Sequence, residues 1–388
     1  MSTDGSGRDR AGTDGSRRER TGAGGNGLSR RDVLRAAAAF GLSLSSIAPL
    51  LAACTPDPRD QPPKDPERTL GPIERKLAIY NWSEYVAPDT IPNFEREFGV
   101  EVTYDVYESA DEMVAKLQAG ARGYDIVVPP GNLVPVLVAL GLVERLARRY
   151  LGNRENLAPL FLNPVFDRGN AYTVPYQWGL TGIAWRRDRL DAPPESWALF
   201  QNARWRGKLT MLDDVRDGIG AWLRYRGHSL NSSEPAHLAQ ARADALAAKP
   251  NLKAYISSPV KAQLVVGDVW AAQIWNGDAA QAALEQPAIS FSVPREGATI
   301  WTDSLVLTRE APHPRAAHEF MNYVLRPEVG AAISAAAGYG TPNRKAFELL
   351  DHPVPYPSRE ELARLEYQLD LGRDTATWDQ IWTEVKSA

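Results

Sequence analysis

Residues 77–85 read Leu-Ala-Ile-Tyr-Asn-Trp-Ser-Glu-Tyr, an apolar run that leads directly into polar and aromatic side chains. Because its first four residues are apolar and include β-branched and aromatic types, the run predicts a short buried strand. A helix is predicted next, starting at Asp89 or Thr90 and stopping at Gly99, a residue that favours the end of a helix. The stretch therefore starts a strand–loop–helix unit with polar and aromatic groups in the loop.

The alternation of strand and helix continues outward from this unit. Strands are predicted over residues 100–106 and 124–128, and helices over 109–120 and 134–140. Further strands are expected at 208–212 and 269–275, and further helices at 316–325 and 328–337. This order is typical of an α/β fold built from βαβ units. Ligands in such sheets lie beyond the carboxyl ends of the strands, so residues 81–85 and 129–132 should line that edge.

A second stretch, Ile300-Trp301-Thr302-Asp303-Ser304-Leu305, combines an indole with a carboxylate. Side chains two apart on an extended chain point to the same side, so Trp301 and Asp303 should face one place. The ring suits methylenes and a cation, and the acid suits an ammonium. The structural alternative is that Trp301 is a core residue and Asp303 a turn cap.

Similar groups recur along the chain. Trp82 and Glu84 repeat the spacing of two, and Asp214 and Asp217 are three apart, so one helical turn could aim both acids at a shared point. As alternatives, the two aspartates cap a helix and the aromatics are packed in loops. Two further aromatic residues are Trp275, at the end of a predicted strand, and Tyr339, in the Gly-Tyr-Gly-Thr-Pro-Asn loop.

Composition excludes several classes of protein. At 388 residues the chain fits two domains. A net charge of −4 gives no basic surface for nucleic acid. The five histidines show no metal-ligand spacing, and we find no nucleophile elbow or P-loop, so no metal, cofactor or catalytic residue is predicted.

Residues 1–53 are predicted to be an export signal. After a polar stretch, Arg30 and Arg31 precede a weakly apolar run, which is typical of a twin-arginine signal. The run ends in Leu-Ala-Ala-Cys, which resembles a bacterial lipobox and would leave Cys54 as a lipidated N-terminus. The alternative is a transmembrane helix, which the serines, Gly41 and Pro49 of the run disfavour.

Residues 54–76 are predicted to be a lipidated cysteine followed by a tether. Prolines recur through this segment, and a proline-rich chain is semi-rigid at about 3.1 Å per residue. We therefore expect a monomer outside the cytoplasm, anchored to the cell membrane by the lipid on Cys54, in the periplasmic space or on the outer face.

From Leu77 to the C-terminus the chain resembles the spermidine and putrescine (polyamine) receptors of ABC importers, a family of bacterial extracellular solute-binding proteins. The resemblance rests on four motifs: Asn-Trp-Ser-Glu-Tyr from Asn81, Ile-Trp-Asn-Gly from Ile274, Trp-Thr-Asp-Ser-Leu from Trp301 and Gly-Tyr-Gly-Thr-Pro-Asn from Gly338. It implies a non-enzymatic, two-lobed type II periplasmic-binding-protein fold that closes over ligand by hinge motion. Lobe 1 would comprise 77–179 and 303–347, and lobe 2 would comprise 180–302 and 348–388.

The resemblance also implies the ligand-binding residues and the partners. Indoles wall the cleft, acids hold the amines and polar groups supply further contacts, and the permease subunits of an ABC transporter receive the ligand. The implied residues are Trp82, Ser83, Glu84, Tyr85, Asp214, Asp217, Ser257, Trp275, Trp301, Asp303, Tyr339 and Gln368.

Two departures from the family pattern leave the length of the polyamine open. Pro130, Gly131 and Asn132 stand where the family often has a serine and an aromatic residue, and Asp217 stands where the spermidine-preferring pattern has a glutamate. The rival functions are a receptor for sugars or quaternary amines and, as an enzyme, an extracytoplasmic glycoside hydrolase.

Overall fold

The computed structural model describes residues 64–120, 123–257, 259–352, 354 and 356–388. The predicted signal segment lies outside the described residues, as does the first part of the predicted tether, residues 54–63, which includes Cys54. Within the described part of the chain, no helix has the length and apolar character needed to cross a membrane.

The described residues form an eleven-stranded mixed sheet flanked by helices. Its strands are β1 (Lys76–Trp82), β2 (Glu101–Tyr107), β3 (Ile126–Val127), β4 (Val143–Glu144), β5 (Thr173–Arg186), β6 (Leu209–Met211), β7 (Leu252–Tyr255), β8 (Ala271–Trp275), β9 (Ile289–Ser292), β10 (Ala298–Thr308) and β11 (Leu365–Tyr367). The predicted α/β class is confirmed.

Helices cover the faces of this sheet. The α-helices span Thr90–Phe98, Ala110–Gln118, Val134–Ala139, Val215–Tyr225, Pro235–Ala248, Val260–Val266, Asn276–Glu285, Pro314–Val324, Pro327–Ala337, Arg344–Phe347, Arg359–Leu362 and Thr375–Ser387. Short 3₁₀ helices span Gly131–Leu133, Arg148–Tyr150, Gly152–Asn156, Pro159–Phe161, Trp197–Gln201, Ala203–Trp205, Lys249–Asn251 and Gly372–Asp374. As predicted, Gly99 ends the first of these α-helices in a left-handed conformation, with φ 64°.

The sheet runs in the order β2-β1-β3-β10-β5-β8-β6-β7, with β4 and β11 on β10 and β9 on β5. Strands β1, β2 and β3 are parallel to one another, and β10 is antiparallel to β3, β4 and β5. Strand β5 changes partner within its length: Leu180 pairs with Ile300 on β10, and Thr181 pairs with Trp275 on β8. The chain near these residues is thus shared between two sets of strands.

Alternating side chains bury both faces of the sheet. On β1, Leu77 and Ile79 join one hydrophobic cluster, whereas Tyr80 joins another on the opposite side. On β8, Ala271 and Ala272 are divided in the same way. A sheet covered on both sides leaves its strand ends as the place where polar groups can converge.

Candidate functional site

Strand β10 forms the base of the candidate site. Thr299, Trp301 and Asp303 are two apart and face the same side, because the strand is regular from Thr299, which pairs with β11, through the residues paired with β5 as far as Asp303. The register with β5 shifts only between Asp303 and Ser304. From Thr299 to Asp303 the chain rises about 13 Å, as four residues of extended backbone require. One strand face therefore sets a hydroxyl, an indole and a carboxylate in a row.

Asp303 marks one end of this row. The side chain is buried, and its Oδ2 accepts a hydrogen bond of 2.8 Å from the Tyr85 hydroxyl. Burial raises the pKa of Asp303 to about 7, and the bond from Tyr85 opposes that rise. The loop edge predicted at 129–132 lies alongside, since Pro130 forms a β-bridge with Asp303. The described residues place no basic side chain within ion-pair distance of this carboxylate.

Asp217 marks the other end. Its carboxylate accepts hydrogen bonds from Thr299 Oγ1 at 2.8 Å, Trp275 Nε1 at 3.2 Å and Gln368 Nε2 at 3.2 Å. Burial and the neighbouring Asp214 raise the pKa of Asp217 to about 7, against the effect of the hydrogen bonds from Thr299 and Trp275. Three neutral donors orient the carboxylate without neutralising its charge.

Asp214 caps a helix, whereas the spacing predicts that its side chain points to the same place as that of Asp217. It precedes the helix Val215–Tyr225 as its N-cap, and its Oδ1 accepts a 2.8 Å hydrogen bond from the backbone nitrogen of Asp217. The capping alternative is therefore correct for Asp214. Its charge still reaches the site, because it helps to raise the pKa of Asp217.

Aromatic rings fill the space beside this row. Trp301 meets Tyr339 edge-on at 5.2 Å between centroids, and Tyr339 meets Tyr85 in the same way at 5.4 Å. The Trp301 Nε1 is buried and has no hydrogen-bond partner among the described residues. Trp82 stands further back, where its Nε1 donates to the carbonyl of Val128 at 3.0 Å.

An outer cluster of Glu84, Lys261, Asp278 and Gln281 lies next to Tyr339. The Lys261 ammonium is 3.3 Å from Glu84 Oε2 and 2.7 Å from Gln281 Oε1. Asp278 Oδ1 accepts a bond of 3.2 Å from the Tyr339 hydroxyl, and burial raises the pKa of Asp278. The cluster thus sets two acids and one cation at the edge of the site.

The outer cluster corrects one prediction. The extended backbone of β1 ends at Trp82, and Glu84 adopts a left-handed φ of 52° in the following turn. Trp301 and Asp303 point to the same side because their backbone is extended. Trp82 and Glu84 are also two apart, but they do not share a side, because the backbone is not extended at Glu84. Trp82 packs inward, and Glu84 extends toward Lys261.

The structure joins most of the predicted residues through hydrogen bonds and ring contacts. Ser83 is turned aside, since its hydroxyl donates to Glu108 at 2.6 Å. Ser257 is bonded through its carbonyl to the nitrogen of Val260, and among the described residues its hydroxyl makes no hydrogen bond to the acids. The joined residues are Tyr85, Asp214, Asp217, Trp275, Trp301, Asp303, Tyr339 and Gln368, with Glu84 in the outer cluster.

Sequence reasoning missed Thr299, Lys261 and Asp278. Thr299 could have been found, because it continues the two-residue spacing of Trp301 and Asp303. Asp278 follows directly on the Ile-Trp-Asn-Gly motif, and its position after a strand was the available signal. Lys261 carries no sequence signal, because its neighbour Glu84 lies far away in the chain.

Comparisons with known proteins identify chains that are similar to this one over most of its length. Residues 90–362 match the family model described as bacterial extracellular solute-binding protein. The chain is 33% identical over 330 residues to the putrescine/cadaverine-binding protein of Pseudomonas aeruginosa, covering 80% of this chain and 93% of that protein. It is 33% identical over 318 residues to the spermidine/putrescine-binding periplasmic protein of Escherichia coli, with 80% and 91% covered.

A solved structure agrees in fold. The spermidine/putrescine ABC transporter substrate-binding protein PotD from Streptococcus pneumoniae aligns with a TM-score of 0.74 at 28% identity, and the alignment covers 81% of this chain and 99% of that one. The fold is therefore of the periplasmic-binding-protein type, as the sequence motifs indicate.

Proposed function

This chain belongs to the family of bacterial extracellular solute-binding proteins, and from that premise we propose that it captures a polyamine and delivers it to the permease of an ABC importer. Membership makes the chain a solute-binding component of transport and not an enzyme, so the glycoside hydrolase alternative is withdrawn. Putrescine and spermidine are the candidate ligands, because relatives named for both match most of the chain.

The observation that carries this proposal is the pair of buried carboxylates at the two ends of one strand face. Asp303 and Asp217 lie on either side of Trp301, and neither is matched by a basic side chain within ion-pair distance among the described residues. A polyamine has the complementary form, with ammonium groups separated by apolar methylenes. Its charges would meet the acids, and its methylenes would lie against the indole.

The expected contacts would make a favourable contribution to the free energy of polyamine binding. A hydrogen bond to a charged group contributes about 1.5–3 kcal/mol. A desolvated cation–aromatic contact contributes about 2 kcal/mol. Ordering a flexible ligand opposes these gains. Two such ends and one ring wall contribute about 5–8 kcal/mol before that cost. A micromolar dissociation constant corresponds to about −8 kcal/mol, so it requires additional hydrogen bonds from the other polar groups of the site.

The two-lobed arrangement belongs to the same proposal. Lobe 1 would hold 77–179 and 303–347, and lobe 2 would hold 180–302 and 348–388. The change of partner along β5 after Leu180 supports a crossing at that point. The contacts Trp301–Tyr339 and Glu84–Lys261 would then form between lobes, so that closure of the hinge assembles the site.

Location and anchoring complete the proposal. Relatives described as periplasmic support a place outside the cytoplasm. The twin-arginine and lipobox patterns support export and a lipid on Cys54, with the proline-rich segment as tether. A tether of this kind would keep the binding domain near the permease. We propose that the chain works as a monomer, since one chain supplies both ends of the site.

Calorimetry on the purified chain tests the ligand class. Titration with putrescine, cadaverine, spermidine, glycine betaine and glucose should give saturable heat only with the polyamines, at micromolar or lower dissociation constants. The other two ligands represent the rival receptors, since a sugar site needs mixed donors and acceptors and a betaine cage is mostly aromatic. Binding of glucose or betaine in place of the polyamines would contradict the proposal.

A further inference from the structure

Lys261 places a fixed ammonium group at the edge of the proposed ligand site. It lies on the helix Val260–Val266, and its Nζ is 3.3 Å from Glu84 Oε2. The neighbouring helix Asn276–Glu285 holds the same group through Gln281 Oε1 at 2.7 Å. The Lys261 side chain is 27% exposed, whereas that of Glu84 is 79% exposed, so the lysine is the more buried partner.

The acids of the outer cluster, Glu84 and Asp278, differ from the inner acids, Asp303 and Asp217, in whether a cation of the protein lies near the carboxylate. Glu84 is paired with Lys261, and the same ammonium lowers the pKa of Asp278 against the effect of burial. Asp303 and Asp217 are contacted by neutral donors, namely Tyr85, Thr299, Trp275 and Gln368. A ligand therefore meets two inner acids that lack a bonded cation, and two outer acids that share the single ammonium of Lys261: Glu84 through an ion pair and Asp278 through its longer-range charge.

This difference bears on the number of ammonium groups that a ligand can carry. Two ammonium groups can be matched by the inner acids. A third group that extends toward Glu84 would meet the Lys261 ammonium first, and like charges at close range repel. To bind there, the ligand would have to displace the lysine from Glu84 and from Gln281.

We propose that Lys261 is a specificity-determining residue, which occupies the position beside Glu84 that a third ammonium would otherwise take and so favours diamines over triamines. This inference rests on the proposed function and names the ligand class within it. In this view, the Lys261 ammonium lies where the third ammonium group of a triamine would otherwise bind.

The test compares the dissociation constants of putrescine and spermidine by calorimetry for the wild-type chain and for Lys261→Met. Methionine keeps the apolar stem and removes the charge. We expect the wild-type chain to bind putrescine more tightly than spermidine. The ratio of spermidine affinity to putrescine affinity should rise at least fivefold in Lys261→Met.

Two controls separate charge from disturbance of the fold. Lys261→Arg retains the cation, so its affinity ratio should stay near that of the wild type. Lys253→Met removes a lysine paired with Asp268 elsewhere on the surface, and it should leave the ratio unchanged. In Lys261→Met, the added change Glu84→Gln should return the ratio toward the wild-type value, because the third ammonium loses its acid.

The outcomes distinguish this inference from the proposed function. If the wild-type chain binds polyamines but the ratio rises less than fivefold in Lys261→Met, the specificity role of Lys261 is wrong and the proposed function stands. A wild-type preference for spermidine over putrescine would also overturn the inference. A wild-type chain that gives no heat with any polyamine overturns both.

Discussion

Asp303 and Asp217 are carboxyl groups that folding buries without a bonded cation. Burial raises the pKa of each to about 7, although each accepts at least one hydrogen bond from a neutral donor. Such a site is unfavourable for stability and favourable for binding a cation, because the ammonium of a ligand supplies the charge that the fold withholds.

Asp303→Asn should weaken polyamine binding at least tenfold. The amide keeps an acceptor for the Tyr85 hydroxyl but loses the charge, and a charge-assisted hydrogen bond is worth about 1.5–3 kcal/mol. Calorimetry gives the affinity, and circular dichroism checks the fold. As a control, Asp268→Asn changes an exposed aspartate that pairs with Lys253, and it should bind as the wild type does. Unchanged affinity of Asp303→Asn would remove Asp303 from the site.

Polyamine affinity should increase as pH rises from about 5.5 to about 8. In the free protein Asp303 and Asp217 have pKa values of about 7, so both hold protons at the lower pH. A bound ammonium favours the ionised acids, and binding therefore releases protons below pH 7. Calorimetry in buffers with different ionisation enthalpies measures this release. The idea fails if affinity is flat across this range.

At the residue scale, sequence could predict groups that act within one strand but not groups that meet across the fold. Trp301 and Asp303 share a side because a strand imposes that spacing. Glu84 does not follow the same rule, because its backbone leaves the extended region at a φ of 52°. The meeting of Lys261 with Glu84 depends on the whole fold, so local spacing carries no sign of it.

Among the elements, β5 and β10 hold the site through close backbone approach. Gly179 on β5 faces Trp301, and a Cβ there would lie 2.4 Å from the indole and 2.3 Å from Asn276 Oδ1. Gly277, at the start of the helix Asn276–Glu285, similarly accommodates the ring of Tyr339. These glycines let the rings reach positions that any side chain would block.

Gly277→Ala should destabilise the protein and weaken binding. The new Cβ would lie 2.2 Å from the Tyr339 ring, which must move away from Trp301 and Asp278. Overpacking of this kind costs about 1–3 kcal/mol of unfolding free energy. Denaturant unfolding and calorimetry measure the two effects. Gly152→Ala is the matched control, because a Cβ at Gly152 meets nothing within 4 Å and should be tolerated.

Sequence predicts the short strands and their helices better than it predicts β5. The strand Lys76–Trp82 and the helix Thr90–Phe98 lie within two residues of their expected bounds, since apolar spacing and a glycine stop determine them locally. Strand β5 contains Pro175, Gly179 and Gly182, which argue against a central strand. Packing overrides that preference, and Pro175 lies where the pairing with β10 shifts register.

For the whole molecule, the buried acids make stability depend on pH. The folded pKa of Asp303 lies near 7, above its ordinary 3.8, so the folded state holds a proton that the unfolded chain loses. Its contribution to the unfolding free energy therefore falls as pH rises from about 4 to about 7. Asp303→Asn should come closest to the wild-type melting temperature at about pH 4 and should exceed it by an increasing margin up to about pH 7, without ligand. A constant difference between the two chains would contradict this account.

The proposed anchoring of the chain depends on Cys54, which lies in the predicted lipobox. Cys54→Ala should abolish lipidation, so the precursor is either released or left uncleaved at the membrane. Metabolic labelling with a fatty-acid probe followed by fractionation measures this directly. Continued labelling of Cys54→Ala would show that the lipid is attached elsewhere or that the assignment is wrong.

The indole of Trp301, whose nitrogen has no hydrogen-bond partner among the described residues, should make the fluorescence of the protein sensitive to ligand. Trp275 and Trp301 are half-buried beside the acids, and the Trp301 Nε1 has no bonded neighbour among the described residues. Indole fluorescence responds to nearby charge, so arrival of a dication should shift the emission of these two tryptophans. Binding of ligand could then be followed in real time by the fluorescence of unlabelled protein, at concentrations far below those that calorimetry requires.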